Sequence, residues 1–257
     1  MTGAGLFADS DLTDDAFLMG RLHLWQPIRG YRAASDPVLL AAACPARSGQ
    51  SVLDLGCGAG TAALCLGVRV SGLTLHGLEL QPDYADLARR NAARNGLAMI
   101  VHDGDLAAMP AALKTGFDHV IANPPYYLRT GFPSPVAGRD TALRAETPLA
   151  VWVDAAARRL TPGGWLTMIF GTDGLPEVLA ALPPRLGSAA VLPLCPRAGK
   201  PALRCLLRAR KGGRGAFRLL PPLVLHDGVA HAGDRDSHSP HAQAILRNAA
   251  DLSGWFG

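Results

Sequence analysis

Short apolar runs alternate with helix-length segments along the first two thirds of the chain. Residues 51–55 form an apolar run that closes on a glycine loop and reads as a buried strand. Residues 61–70 suit a helix, and residues 73–80 a second strand. Residues 82–95 suit a helix framed by Pro82 in its first turn and Gly96 just past its end. The pattern predicts a third strand over 98–102 and a fourth over 117–122, stopping at Asn123. Thr147 as cap with Pro148 behind it starts another helix, expected to end at Thr161-Pro162-Gly163-Gly164 before a fifth strand over 165–170. Strands and helices in this rotation make βαβ units and a mostly parallel sheet flanked by helices.

Beyond Gly174 the pattern changes. Residues 189–194 and 202–209 predict two further strands around a proline-bounded turn. In the second, Leu203, Cys205, Leu207 and Ala209 alternate with Arg204, Leu206, Arg208 and Arg210, so one face is expected in the core and the other to carry arginines. Residues 211–215 read as a break and 227–239 as a polar loop, and Ser239-Pro240 opens a last helix to about Leu252.

Composition narrows the class. At 257 residues and 49% hydrophobic, the chain can bury one large α/β core. The first fifteen residues lack the basic and apolar regions of a signal peptide, and the most apolar stretch, over 64–80, is broken by Arg69, Ser71 and His76. A soluble cytoplasmic protein is expected. The five cysteines are odd in number and never spaced CxxC, so neither a disulfide framework nor a zinc site is expected. His226, His231, His238 and His241, with Asp227, Asp234 and Asp236, fit no compact metal-ligand set and read as a solvated loop. Net charge is only +4, but no Asp or Glu occurs from Val178 to His226, while basic residues run from Arg185 to Arg218. Such a one-signed stretch attracts a phosphate backbone.

The chemistry sits at the ends of the predicted strands. Asp54 and Gly56, Gly58 and Gly60 lie in Val52-Leu53-Asp54-Leu55-Gly56-Cys57-Gly58-Ala59-Gly60, where alternate glycines let the backbone lie against a ligand. The spacing is G-x-G-x-G and not the G-x-G-x-x-G of dinucleotide enzymes, which suits S-adenosylmethionine, a cofactor without a pyrophosphate. Glu79, followed by Leu80, stands at the tip of the second strand, where a carboxylate can accept ribose hydroxyls. After the third strand, Asp105 is assigned to the adenine amino group with Leu106 beside it, and Asp103 to loop capping. Asn123-Pro124-Pro125-Tyr126 ends the fourth strand. A planar nitrogen is a poor nucleophile because its lone pair is delocalised; the Asn123 side-chain oxygen and the Pro124 carbonyl can grip its hydrogens and aim that lone pair. The prolines stiffen the backbone, and Tyr126 offers a ring for stacking an extruded base. Residues 127–146, with Tyr127, Arg129 and Arg139, read as a substrate-gripping lid, and Arg208 and Arg210 as phosphate contacts.

On these motifs, with Gly30-Tyr31-Arg32-Ala33-Ala34-Ser35-Asp36 and the run to Ala42, the chain resembles the small-domain methyltransferases that modify RNA, nearest to those acting on adenine N6 in tRNA(Val). The resemblance implies a Rossmann-like class I methyltransferase of seven mostly parallel strands with one antiparallel late strand. It implies S-adenosylmethionine bound in the sheet crevice, no metal, and a tRNA anticodon loop as partner. It also implies that Ser35 and Asp36 help close the cofactor site, within a segment 1–50 packed on a methyltransferase domain 51–257. Three other readings stand beside it: glutamine methylation on release factors, guanine-N2 methylation of ribosomal RNA, and an RNA-binding protein that keeps only the fold.

Overall fold

The computed structural model describes residues 6–125, 147–228 and 237–257. The chain opens with an antiparallel hairpin, β1 (Leu12–Phe17) and β2 (Leu22–Pro27), followed by helix α1 (Ser35–Ala43). Then come β3 (Ser51–Leu55), α2 (Thr61–Arg69), β4 (Thr74–Glu79), α3 (Pro82–Arg94), β5 (Met99–Asp103) and β6 (Phe117–Ala122). The later elements are α4 (Leu149–Arg159), β7 (Leu160–Gly171), α5 (Leu175–Ala181), β8 (Leu186–Arg197), β9 (Arg204–Lys211), β10 (Arg218–Leu219), β11 (Leu223–His226), α6 (Pro240–Asn248) and α7 (Ser253–Phe256).

The main sheet runs β5-β4-β3-β6-β7-β9-β8, with β9 antiparallel to both neighbours, as expected. Two short strands, β10 and β11, lie parallel to β8 and extend the seven to nine. The chain steps outward from β3 through β4 to β5, then returns to place β6 on the other side of β3. That reversal opens a crevice at the carboxyl ends of β3 and β6, where open α/β sheets take their ligands.

Helices cover both faces. On one, Leu39 and Leu40 of α1 and Leu64 of α2 pack with Ile121, Ile169 and Leu206; on the other, Val153 and Ala156 of α4 pack with Leu53, Val120 and Leu207. The N-terminal hairpin is tied to α3. Asn91 accepts the Trp25 amide and donates to its carbonyl, and Asn95 does the same for His23. Arg90 and Arg94 pair with Asp9 and Asp14 while lying over the Trp25 ring.

Three expectations are corrected. Residues 161–164 do not terminate a helix but lie inside β7, at a register shift against β6 where Pro162 has no N–H to give the ladder and Gly163 takes φ +81°. Pro148, and not Thr147, occupies the position capping α4. The arginine face of β9 is also not a free surface. Arg204 pairs with the buried Asp36 of α1 at 2.5 Å, and Arg208, only 6% exposed, is held between the rings of Trp165 and Phe256 at 4.6 and 4.5 Å. Burial pulls the Arg208 guanidinium down to about 10. Arg208 is therefore a packing residue and not the phosphate contact expected from alternation. Arg210 is exposed, but it stands level with Trp165 and His119, four residues below Asn123 along the strands.

Arg208→Ala is expected to lower the unfolding free energy by about 2 kcal/mol, the worth of a desolvated cation held on aromatic rings. Arg210→Ala should cost less than about 1 kcal/mol. Urea titration of the two variants checks the order.

Candidate functional site

The crevice is built at the carboxyl ends of β3, β4, β5 and β6, with α1, α2 and α4 beside them. β3 ends in the glycine loop that leads into α2, and its first turn faces the loop: the Ala63 N–H donates to the buried Asp54 carboxylate at 3.3 Å. Gly56 has φ +64°, and a Cβ there would stand 2.5 Å from the Trp152 ring of α4. A side chain is thus excluded twice at Gly56, by backbone conformation and by the indole beneath it. β4 ends in Glu79, 3% exposed, whose carboxylate accepts the Gly58 N–H at 2.8 Å and the Gln81 N–H at 3.0 Å. Burial, with the negative charge of Glu79 adding to it, pushes the Asp54 carboxyl up to about 8.

Beyond the loop, Leu80 presents an apolar side chain at the tip of β4, 42% exposed. After β5, Asp103 is engaged by Arg89 at 2.6 Å, while Asp105 lies exposed in the next turn with Oδ1 accepting the Ala107 N–H, so the turn-capping bond expected of Asp103 is made by Asp105. Leu106 is half-buried beside it. Ser35 is half-buried in the first turn of α1, and Asp36 behind it ties α1 to β9 through Arg204.

Asn123 follows the last residue of β6. Its Nδ2 donates to the Tyr31 hydroxyl at 3.3 Å, whereas its Oδ1 is closed off from solvent and takes no hydrogen bond among the described residues. Pro124 is buried and Pro125 half-buried. Tyr126, Tyr127, Arg129 and Arg139 lie outside the described residues. Two further buried polar atoms around the loop are unsatisfied, Gln81 Nε2 and Trp152 Nε1. A buried acceptor and two buried donors without partners are what a polar ligand in the crevice would complete.

Three of these residues escaped sequence reasoning as site members. Tyr31 carries a signal in retrospect, an aromatic directly behind a glycine in the segment ahead of β3. Trp152 and Gln81 carry none that periodicity exposes, since one acts as the floor under a glycine 96 residues away and the other merely follows a strand. Among the described residues no group of three or more His, Cys, Asp or Glu is arranged to hold a metal, and no helix is long and apolar enough to cross a membrane.

Residues 34–179 match the family model described as methyltransferase small domain. The tRNA1(Val) (adenine(37)-N6)-methyltransferase of Actinobacillus succinogenes is 30% identical over 62% of this chain and 69% of its own length. The enzyme of the same name from Dickeya chrysanthemi is 27% identical over 84% of this chain and 87% of its own. Among solved structures, a predicted O-methyltransferase from Agrobacterium tumefaciens superposes with a TM-score of 0.68 at 25% identity, covering 84% of this chain and 97% of its own.

Two outcomes follow from the paired carboxylates. Glu79→Gln sets a side-chain N–H against backbone N–H donors and should weaken cofactor binding by about 1–3 kcal/mol, read by calorimetry. Between the ordinary carboxylate value of 3.8 and about 8, the folded chain keeps a proton on Asp54 that the unfolded chain has released. Stability contributed at this group is therefore lost as pH rises through that window. Asp54→Asn, neutral throughout, should gain stability relative to the parent at pH 8 and little at pH 4, which urea midpoints at the two pH values test.

Proposed function

The chain belongs to the methyltransferase small domain family and is an S-adenosylmethionine-dependent methyltransferase, and on that premise we propose that it methylates the exocyclic N6 of an adenine in tRNA. The observation that carries the acceptor chemistry is Asn123: an unsatisfied, solvent-shielded acceptor oxygen at the end of β6, with the nitrogen of the same amide already held by Tyr31. The names of the relatives from Actinobacillus succinogenes and Dickeya chrysanthemi support tRNA adenine as the acceptor.

Bound S-adenosylmethionine supplies an activated methyl group on its sulfonium. The chain's own residues then divide into two sets. Glu79, Gly58 and the Gly56 floor shape the cofactor half, with Leu80, Asp105 and Leu106 as the adenine edge and Ser35 at the near end of α1. On the acceptor half, Asn123 Oδ1 and the Pro124 carbonyl accept the two hydrogens of the target amine. This grip favours a pyramidal nitrogen and turns its lone pair toward the methyl group. Tyr126 stacks on the base. Orientation and preorganised dipoles supply the rate, and the proton leaves after transfer because the amine is barely basic before it.

For RNA contact, the burial of Arg208 moves the reading to basic residues at the site end of the sheet. Arg29 is exposed one residue before Gly30, and Lys200 is exposed in the turn between β8 and β9, which packs on Thr172 at the end of β7. An anticodon loop presents unstacked bases, so extrusion costs less than from a duplex.

Incubation with labelled cofactor and bulk tRNA should give N6-methyladenosine in the nucleoside digest. Arg29→Glu and Lys200→Glu should weaken tRNA binding and flatten its salt dependence, with cofactor affinity unchanged. Methyl groups found on a release-factor glutamine or on guanine N2, and none on adenine, would overturn the acceptor assignment while leaving the methyltransferase intact.

A further inference from the structure

Tyr31 occupies an unusual place: its backbone belongs to the loop between β2 and α1, yet its side chain reaches the end of β6. The backbone is pinned from both sides of one peptide run. The Tyr31 N–H donates to the hydroxyl of Tyr84 at 2.8 Å, and the same hydroxyl donates to the Tyr31 carbonyl at 3.1 Å. Tyr84 itself is 1% exposed, set in α3 with Phe7 edge-on to its ring at 5.2 Å. Gly30 lets this clamp close, since it takes φ +119° and a Cβ there would stand 2.7 Å from the Tyr84 hydroxyl. Upstream, buried Gln26 grips Ala33 by donating to its carbonyl and accepting its N–H.

From this fixed backbone the Tyr31 ring projects, 45% exposed, over the glycine loop, its edge 3.9 Å from where a Cβ on Gly58 would be. Its hydroxyl then accepts the Asn123 Nδ2–H at 3.3 Å. A carboxamide has two ends of nearly equal size, and only hydrogen-bond partners decide which end faces a ligand. With Nδ2 held by Tyr31, Oδ1 is the end left to the acceptor.

We propose that Tyr31 is a positioning residue for the methyl acceptor: it fixes the Asn123 carboxamide so that Oδ1, and not Nδ2, meets the target nitrogen. The inference rests on the methyl-transfer reading of Asn123 but on no choice of RNA. When a target amine donates to Oδ1, the polarised amide donates more strongly through Nδ2, and Tyr31 Oη receives that bond, so the two bonds reinforce each other. A flipped amide would oppose N–H to N–H and reject the acceptor. Tyr31 thereby couples the N-terminal loop to the acceptor half of the site through its hydroxyl, while only its ring touches the glycine loop.

The test is Tyr31→Phe, which keeps the ring over the loop and removes only the hydroxyl. Cofactor affinity and the urea midpoint should stay within twofold and within error of the parent. Single-turnover methyl transfer should fall about 3- to 10-fold, the worth of one hydrogen bond. In an Asn123→Ala background, Tyr31→Phe should change the residual rate no further. A contact readout needs no acceptor: the Asn123 side-chain amide pair in a ¹⁵N-correlation spectrum, identified by its loss in Asn123→Ala, should shift in Tyr31→Phe. An unmoved Asn123 pair overturns the proposal, as does a rate loss that persists undiminished without Asn123. Should no RNA be methylated at all, the amide spectrum still decides the contact, so that failure is separable from failure of the tRNA reading.

Discussion

Two backbone N–H groups from different elements, those of Gly58 in the glycine loop and Gln81 after β4, end on the single buried carboxylate of Glu79. Backbone bonds from Cys57 to the Leu78 carbonyl and from Gly104 to the Glu79 carbonyl carry the pairing past the strand ends, and the Glu79 side chain adds to them. It brings the tip of β4 against the turn that leaves β3. On the neighbouring strand, burial of Asp54, with the charge of Glu79 adding to it, pushes its carboxyl up to about 8. One carboxylate takes the backbone donors, and the other, neutral, supports the first turn of α2. Gly56 lies on Trp152 beneath the same loop, and the crevice inherits its shape from all three.

The N-terminal hairpin serves the same edge at a distance. Paired asparagine bonds and the layered Arg90–Trp25–Arg94 contact fasten it to α3. These exposed ion pairs contribute little stability individually. Their value is geometric, since the hairpin delivers Gln26, Gly30 and Tyr31 to fixed positions before α1 begins. Asp36 and Arg204 then join α1 to β9 across the sheet end. The segment ahead of β3 is thus bound into the fold by polar contacts at the hairpin and again at α1.

How much of this was legible from the residues varies with the kind of signal. β3, β6 and the start of α3 fall where the apolar pattern and capping put them, because these strands are short, mostly apolar segments with a glycine or proline close to their ends. The glycine loop, Glu79 and Asn123 were readable because their chemistry depends on position at strand ends. The hairpin was not, for its turn places Leu18 and Met19 at φ 52° and 58°, a conformation that those residue types do not announce. Thr161-Pro162-Gly163-Gly164 has the composition of a helix stop, and only pairing with β6 turns it into a strand irregularity.

Arg208 marks the deeper limit. Alternation along β9 tells which side chains share a face, and that much holds: Arg204, Leu206, Arg208 and Arg210 do share one. Whether that face meets solvent depends on what else packs there, and here it is Asp36 from far upstream and Phe256 from the chain's end. Period-two reasoning equates the charged face with the surface because burying a guanidinium costs free energy, yet two aromatic rings offset that cost at Arg208 and an ion pair offsets it at Arg204. The consequence for function is spatial. Arg208, buried beside the core, cannot grip phosphate, and the polar side chains open to a ligand are those at the carboxyl edge, where Tyr31 and Asn123 meet.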